Sequence, residues 1–152
     1  MTFTEHILSR DAIAVDVEVQ DWKAAVKVGT DLLVAAGTIE PRYCEEIIRS
    51  TEELGPYYLL APGLAMPHAR PEAGVIHNSF SLVTLKNAVN FGDPDNDPID
   101  ILITLAATDA KTQNEEAIVQ VVTIFDDEAT VAALREATTV EQVRTILHRI
   151  QE

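Results

Sequence analysis

The chain has 152 residues, 47% hydrophobic, 5% aromatic and 24% charged, with a formal charge of −14 at pH 7 and a pI near 4.5. That length suits one domain, residues 1–152, able to bury roughly two-thirds of its unfolded surface, and no stretch is long and apolar enough to span a bilayer. Such an acidic balance excludes nucleic acid and anionic membrane surfaces as partners; it favours a basic partner or plain solubility.

Thr2 to Arg10 reads as a short helix with His6 on its surface. From Ala12 to Val19, Ile13, Val15, Val17 and Val19 alternate with Ala14, Asp16 and Glu18, the period-two pattern of a strand. Asp21 caps a helix through Trp22, Ala25, Val26, Leu32, Leu33 and Ala36, which Gly37 ends as a C′ glycine. Pro41, at a first helical position, opens a helix to about Leu54, broken by Gly55-Pro56. The single cysteine, Cys44, lies there in an apolar stripe with Ile47 and Ile48 and reads as a small buried hydrophobe, since Glu45 and Glu46 beside it would not activate a thiol.

Tyr57 to Leu60 is a short apolar run leading into a loop, and Asn78 to Leu85 sets Phe80, Leu82 and Leu85 against Ser79, Ser81 and Thr84 as a strand. His77 precedes that strand, carried away from the loop by Pro71 to Gly74. Asp93, Asp95 and Asp97 have calcium-loop spacing, but Pro98 stands where the glycine is required and Thr104 where the bidentate glutamate belongs. The segment is a turn, not a metal loop. Ile99 to Ala107 is nearly all apolar, as in a strand buried on both faces.

Thr112 to Glu115 then forms the pattern of a capping box, starting a helix with Ile118, Val121, Val122 and Phe125 on one stripe. Its N-terminus, following a central strand, is a natural anion site. Helices follow at Glu128 to Glu136 and Val140 to Ile150, the second with Thr138 and Glu141 as a capping box, Val143, Ile146, Leu147 and Ile150 inward, and His148 toward solvent. Helices before and after central strands give an α/β fold, a three-layer α/β/α sandwich.

The chemistry concentrates in Ala61-Pro62-Gly63-Leu64-Ala65-Met66-Pro67-His68-Ala69-Arg70-Pro71. Three prolines fix φ and remove backbone donors while Gly63 allows a turn, so this is a shaped loop rather than a helix or strand interior. A neutral imidazole can attack an electrophile near pH 7 and later leave, and Arg70 offers a bidentate fork for phosphoryl oxygens. On these residues alone, His68 is either a phosphorylatable histidine or a loop histidine held by backbone hydrogen bonds beside a surface arginine. No nucleotide-binding glycine loop, kinase catalytic loop or H-E-x-x-H motif is present, so neither a nucleotide, another cofactor nor a metal is called for.

Gly63-Leu64-Ala65-Met66-Pro67-His68 resembles the active-site signature of the enzyme IIA components of the bacterial phosphoenolpyruvate-dependent sugar phosphotransferase system, in the fructose and mannitol superfamily. With Leu60 to Pro62 before it, Arg70-Pro71-Glu72 after it, and Asn96 to Thr104 later, the chain is most similar to the ascorbate-specific members. The resemblance covers nearly the whole chain. It implies a mixed central sheet and a phosphocarrier histidine at His68, reacting through Nε2 with the other ring nitrogen hydrogen-bonded. It also implies phosphate arriving from HPr and leaving to an enzyme IIB component, with the membrane permease, enzyme IIC, involved only indirectly. A cytoplasmic location is expected, because the first residues lack a basic region followed by an apolar run.

Two positions depart from the family pattern. Many members carry a second histidine four residues after the aspartate corresponding to Asp109; here it is Gln113, whose amide can donate to a phosphate oxygen but cannot carry charge. Mannitol-type members also place an arginine upstream where Glu52 stands, which leaves Arg70 to act as the cationic phosphate ligand. The alternative reading is a nitrogen-type regulatory enzyme IIA, sharing the fold and histidine but acting by phosphorylation-dependent protein binding. The loop sequence and the free-standing length favour the transport class.

Overall fold

The structure is a computed structural model describing residues 2–150. Its elements run α1 (Phe3–Arg10), β1 (Ile13–Val17), α2 (Trp22–Ala35), α3 (Arg42–Leu54), β2 (Leu59–Ala61), β3 (Leu64–Ala65), a 3₁₀ turn (Pro71–Ala73), β4 (Ser79–Val89), β5 (Ile99–Ala106), a π-helical segment (Thr112–Ala117), α4 (Ile118–Phe125), α5 (Glu128–Glu136) and α6 (Val140–Arg149). The strands form one mixed sheet in the order β1-β4-β5-β3-β2. β1 with β4 and β3 with β5 are parallel; β4 with β5 and β2 with β3 are antiparallel.

β5 lies at the centre, which explains its unbroken apolar run: Ile101, Ile103 and Leu105 face one buried cluster, Leu102 and Ala106 the other. The first cluster gathers α1, α4, α5 and α6 through Phe3, Ile7, Val121, Leu134, Val143 and Leu147. The second gathers α2 and α3 through Val26, Leu33, Tyr43 and Ile47. This is the expected three-layer sandwich. Burying a large apolar side chain contributes about 1.5–3 kcal/mol, whereas ion pairs such as Lys27–Asp31 are exposed and contribute little. The two apolar layers therefore hold the fold.

Helix ends follow their residues. Asp21 Oδ1 accepts from the Ala24 amide at 2.8 Å, and α2 stops where Gly37 turns left-handed at φ 74°, with Gly37 and Thr38 donating back to Val34 and Leu33 at 3.0 Å each. Between these ends α2 rides close over the sheet at Gly29: a Cβ there would lie 2.3 Å from Thr104 Oγ1.

Several elements differ from the sequence reading. β1 ends at Val17 rather than Val19, because Asp16 turns left-handed and its amide donates to Thr84 Oγ1 at 2.9 Å, interrupting the register with β4. β4 continues past Leu85 to Val89. The capping box expected at Thr112 and Glu115 does not form: Asp109 accepts from the Thr112 amide at 2.7 Å and from its hydroxyl at 3.1 Å, so the threonine is itself capped. The following turns are π-helical, and their extra residues per turn shift the apolar stripe to Val121, Ile124 and Phe125, leaving Val122 exposed. The last helix is capped one residue later than expected, by Thr139 and Gln142.

Candidate functional site

Strand direction gathers the site. β3 and β5 run parallel with Leu64 opposite Ile101 and Ala65 opposite Leu102, so the chain leaves both strands at the same end of the sheet. His68 lies on the segment after β3 and Gln113 on the segment after β5. Loops beyond the carboxyl ends of neighbouring parallel strands are where open α/β sheets hold ligands.

The sequence reading made Leu64 and Ala65 part of an irregular loop; they are instead a short strand. Their partner is distant in sequence, and two residues carry no period to reveal it. Gly63 prepares this pairing. Its φ is 82°, its amide donates to Asn96 O at 3.0 Å, and its carbonyl accepts from the amides of Asp100 and Ile101 at 3.1 Å each. A Cβ on Gly63 would lie 2.3 Å from Arg135 Nη2 and 3.1 Å from Asp100 Oδ1, the two sides of an ion pair at 2.9 Å. The left-handed φ is what requires glycine here, since the Arg135 guanidinium ends a flexible side chain and can swing clear of a methyl.

Beyond β3 the backbone is tied down residue by residue. The Met66 amide donates to Tyr58 O at 3.0 Å, the Leu105 amide to Pro67 O at 3.0 Å, and the Ala69 amide to the Tyr43 hydroxyl at 3.0 Å, which itself donates to Leu105 O at 2.7 Å. The Tyr57 hydroxyl donates to the His68 carbonyl.

His68 is half-buried, with Nδ1 2.8 Å from the carbonyl oxygen of Met66. A carbonyl only accepts, so Nδ1 carries the proton and Nε2 keeps its lone pair. Burial pushes the imidazole below its ordinary pKa, and the Met66 carbonyl offsets part of that shift. The ring is therefore neutral near pH 7. Tyr57 stands edge to face against it, with centroids 5.4 Å apart and planes at 89°, and Tyr58 lies at 6.4 Å.

Arg70 is exposed and lines a groove of about 610 Å³ between α3 and the 3₁₀ turn, together with Arg42 and Arg49. Arg49 is held by Glu46 at 2.6 Å and Glu53 at 3.1 Å, and Arg42 by Glu40 at 2.6 Å. Of these three arginines only Arg70 has no carboxylate within 4.0 Å among the described residues. Gln113 is buried, 8% exposed, and no hydrogen bond joins its side chain to His68 among the described residues. The topology brings Gln113 to the sheet end that holds His68. The anion site expected at the N-terminus of this helix is occupied by the chain's own Asp109 carboxylate, whose pKa is lowered chiefly by the Thr112 amide.

The other candidates disperse. Glu52 is exposed and 3.6 Å from Lys23, His77 and His148 are exposed, and burial pushes the Cys44 thiol up. His6, read as a surface residue, is half-buried, with Nδ1 2.7 Å from Arg10 Nη1 and its ring against Phe80. Asp97 accepts from the amides of Phe91, Gly92 and Asp93, each at 2.8 Å, closing the turn around itself.

The sequence reading missed the tyrosines. All three in the chain, Tyr43, Tyr57 and Tyr58, surround the His68 loop. Their scarcity in a chain with 5% aromatic residues, and the adjacency of two of them to the loop, are the signal that could have found them.

Residues 6–150 match the family model for the phosphoenolpyruvate-dependent sugar phosphotransferase system, EIIA 2. Over 149 residues the chain is 48% identical to the ascorbate-specific PTS system EIIA component of Salmonella choleraesuis (strain SC-B67), covering 98% of this chain and 97% of that one. Its fold matches the mannitol-specific cryptic phosphotransferase enzyme IIA CmtB from Escherichia coli with a TM-score of 0.87 at 33% identity, covering 99% of this chain and 100% of that one. It also matches a chain from the complex of enzyme IIAMTL and phosphorylated enzyme IIBMTL from Escherichia coli, with a TM-score of 0.77 at 25% identity over 91% of this chain and 94% of that one. The chain belongs to the EIIA 2 family of the phosphoenolpyruvate-dependent sugar phosphotransferase system.

Proposed function

We propose that this sugar phosphotransferase component carries its phosphoryl group on Nε2 of His68, accepting it from phospho-HPr and passing it to an enzyme IIB in a cytoplasmic step of ascorbate uptake. The whole chain, residues 1–152, acts as one EIIA domain. The observation that carries the reading is the 2.8 Å contact of His68 Nδ1 with the Met66 carbonyl, which leaves a neutral, oriented Nε2.

In the forward step the Nε2 lone pair attacks phosphorus in line with the donor's leaving bond. The N–P bond forms as that bond breaks, and its electron pair departs with the donor. The positive charge that develops on the ring is stabilised by the Met66 carbonyl, so no proton leaves Nδ1. When the enzyme IIB nucleophile attacks in turn, the ring departs as neutral imidazole. Phosphoryl transfer depends mostly on positioning and charge stabilisation. The pinned loop supplies the first, and Arg70 supplies the second through its exposed guanidinium, with the Gln113 amide as a neutral donor.

Docking is favoured by Leu54 and Tyr57, 74% and 45% exposed, at the approach to the loop, and the charge of −14 complements a basic carrier protein. Support for ascorbate is the end-to-end similarity to the ascorbate-specific relative; support for an enzyme IIB acceptor is the complexed mannitol relative. No helix among the described residues is long and apolar enough to cross a membrane. Transfer from the phosphorylated protein to purified enzyme IIB of an ascorbate and of a mannitol system tests the assignment. Faster transfer to the ascorbate protein is expected; equal or reversed rates would overturn the choice of sugar.

A further inference from the structure

Tyr57 touches His68 twice. Its hydroxyl donates to the His68 backbone carbonyl, and its ring packs edge to face against the imidazole at 5.4 Å and 89°. The other two tyrosines have different work. Tyr43 is fully buried and joins the Ala69 amide to the Leu105 carbonyl, and Tyr58 is buried with its hydroxyl 2.8 Å from that of Thr51. Tyr58 also backs the Tyr57 ring at 5.0 Å and 74°, so Tyr57 is held from behind while part of it faces solvent.

We propose that Tyr57 is a positioning residue for phosphoryl transfer at His68: its hydroxyl fixes the histidine backbone and its ring closes one side of the imidazole, so that Nε2 keeps a single line of approach. The inference rests on His68 being the phosphoryl carrier. The Met66 carbonyl holds Nδ1, but one hydrogen bond leaves the ring free to pivot about it. A second anchor on the residue's own carbonyl and a wall beside the ring remove that freedom. Because burial also pushes the phenol pKa up, the hydroxyl stays a donor throughout the working pH range.

The test compares Tyr57→Phe, which keeps the ring and loses the donor, with Tyr57→Leu, which loses the aromatic wall as well. Both are made in the full chain and checked by thermal unfolding. The maximal transfer rate and the KM for phospho-HPr are measured, the His68 ring is titrated by NMR, and the labelled residue is mapped. Tyr57→Phe is expected to lower the maximal rate about 3- to 10-fold with little change in KM. Tyr57→Leu is expected to lower it further and to raise the imidazole pKa toward about 6.5 as the ring gains solvent. Parent rates and titration in both variants, or a higher KM alone, with label on His68, would overturn the positioning role and leave Tyr57 at most a docking contact. Label elsewhere than His68 in the parent protein would instead refute the carrier assignment itself.

Discussion

Nδ1 of His68 lies 2.8 Å from the carbonyl oxygen of Met66, two residues earlier on the same segment, and this contact decides which ring nitrogen keeps its lone pair. The contact persists because neither partner can move independently. Met66 is fixed by the hydrogen bond its N–H donates to the Tyr58 carbonyl, and Pro67, between Met66 and His68, by the N–H that Leu105 of the central strand donates to its carbonyl. The imidazole is thereby referenced to the sheet itself.

The first prediction follows from burial of that ring. Desolvation lowers the His68 pKa below its ordinary value of about 6.5, so Nε2 is fully available above that pH. Transfer should be flat from about pH 6.5 upward and fall only as acid protonates the ring. The sign for stability is the same. Between the folded-state pKa and the unfolded value, the unfolded chain binds more protons, so this histidine's contribution is complete above about 6.5 and declines as pH falls toward the folded-state pKa. NMR titration of the ring checks both; a midpoint above the ordinary value would contradict them.

Arg70→Ala should slow transfer by about 10- to 100-fold, the equivalent of about 1.5–3 kcal/mol for a hydrogen bond to a charged group. Unfolding should hardly change, since the side chain is exposed and has no carboxylate partner within 4.0 Å among the described residues. Arg70→Lys should recover only part of the rate, because a point charge replaces a planar fork. Stopped transfer assays decide this, and an unchanged rate in Arg70→Ala would remove Arg70 from the site.

Gln113→His introduces a titratable ring at the position where the family resemblance implies one. It should keep phosphocarrier activity and shift its pH dependence, whereas Gln113→Ala should weaken transfer by about 1–3 kcal/mol. The side chain is 8% exposed, so the alanine variant also costs stability, on the order of 1 kcal/mol. Rates should therefore be compared well below both unfolding transitions. Profiles matching the parent in both variants would separate Gln113 from the phosphate.

Gly29→Ala should destabilise the fold by about 1–3 kcal/mol, since the added methyl would lie 2.3 Å from Thr104 Oγ1 and 3.2 Å from Ser81 Oγ. The Thr104 hydroxyl is buried and has no hydrogen-bond partner among the described residues. Thr104→Ala removes the clashing atom, so the double variant should lose less than the sum of the two single changes. Denaturant unfolding of all four proteins measures the coupling; strict additivity would contradict close packing of α2 on β5.

Local signals were the legible part of this chain. The Asp21 cap and the Gly37 stop bound α2 as expected, and the apolar run of β5 marks the sheet centre because every residue of the strand except Asp100 is buried. Where nearby residues compete for one role, the outcome depends on geometry that the sequence does not carry: Asp109 captures Thr112 before Thr112 can cap, and Thr139 takes the N-cap position while Thr138, just outside the helix, also donates to the Gln142 side chain. Long-range pairing left no local trace, which is why β3 was read as loop. For the same reason His68 and Arg70 were visible as a spacing, while the convergence of Tyr43, Tyr57 and Tyr58 on their loop required the folded chain.

The central claim is that Nε2 of His68 carries the phosphoryl group. Incubating the protein with enzyme I, HPr and labelled phosphoenolpyruvate, then mapping the label, tests it most directly. The account predicts one acid-labile, base-stable phosphoramidate on His68, bonded through Nε2, and no label in His68→Ala. Label persisting in that variant, or found on His6, His77, His148 or Cys44, would contradict it.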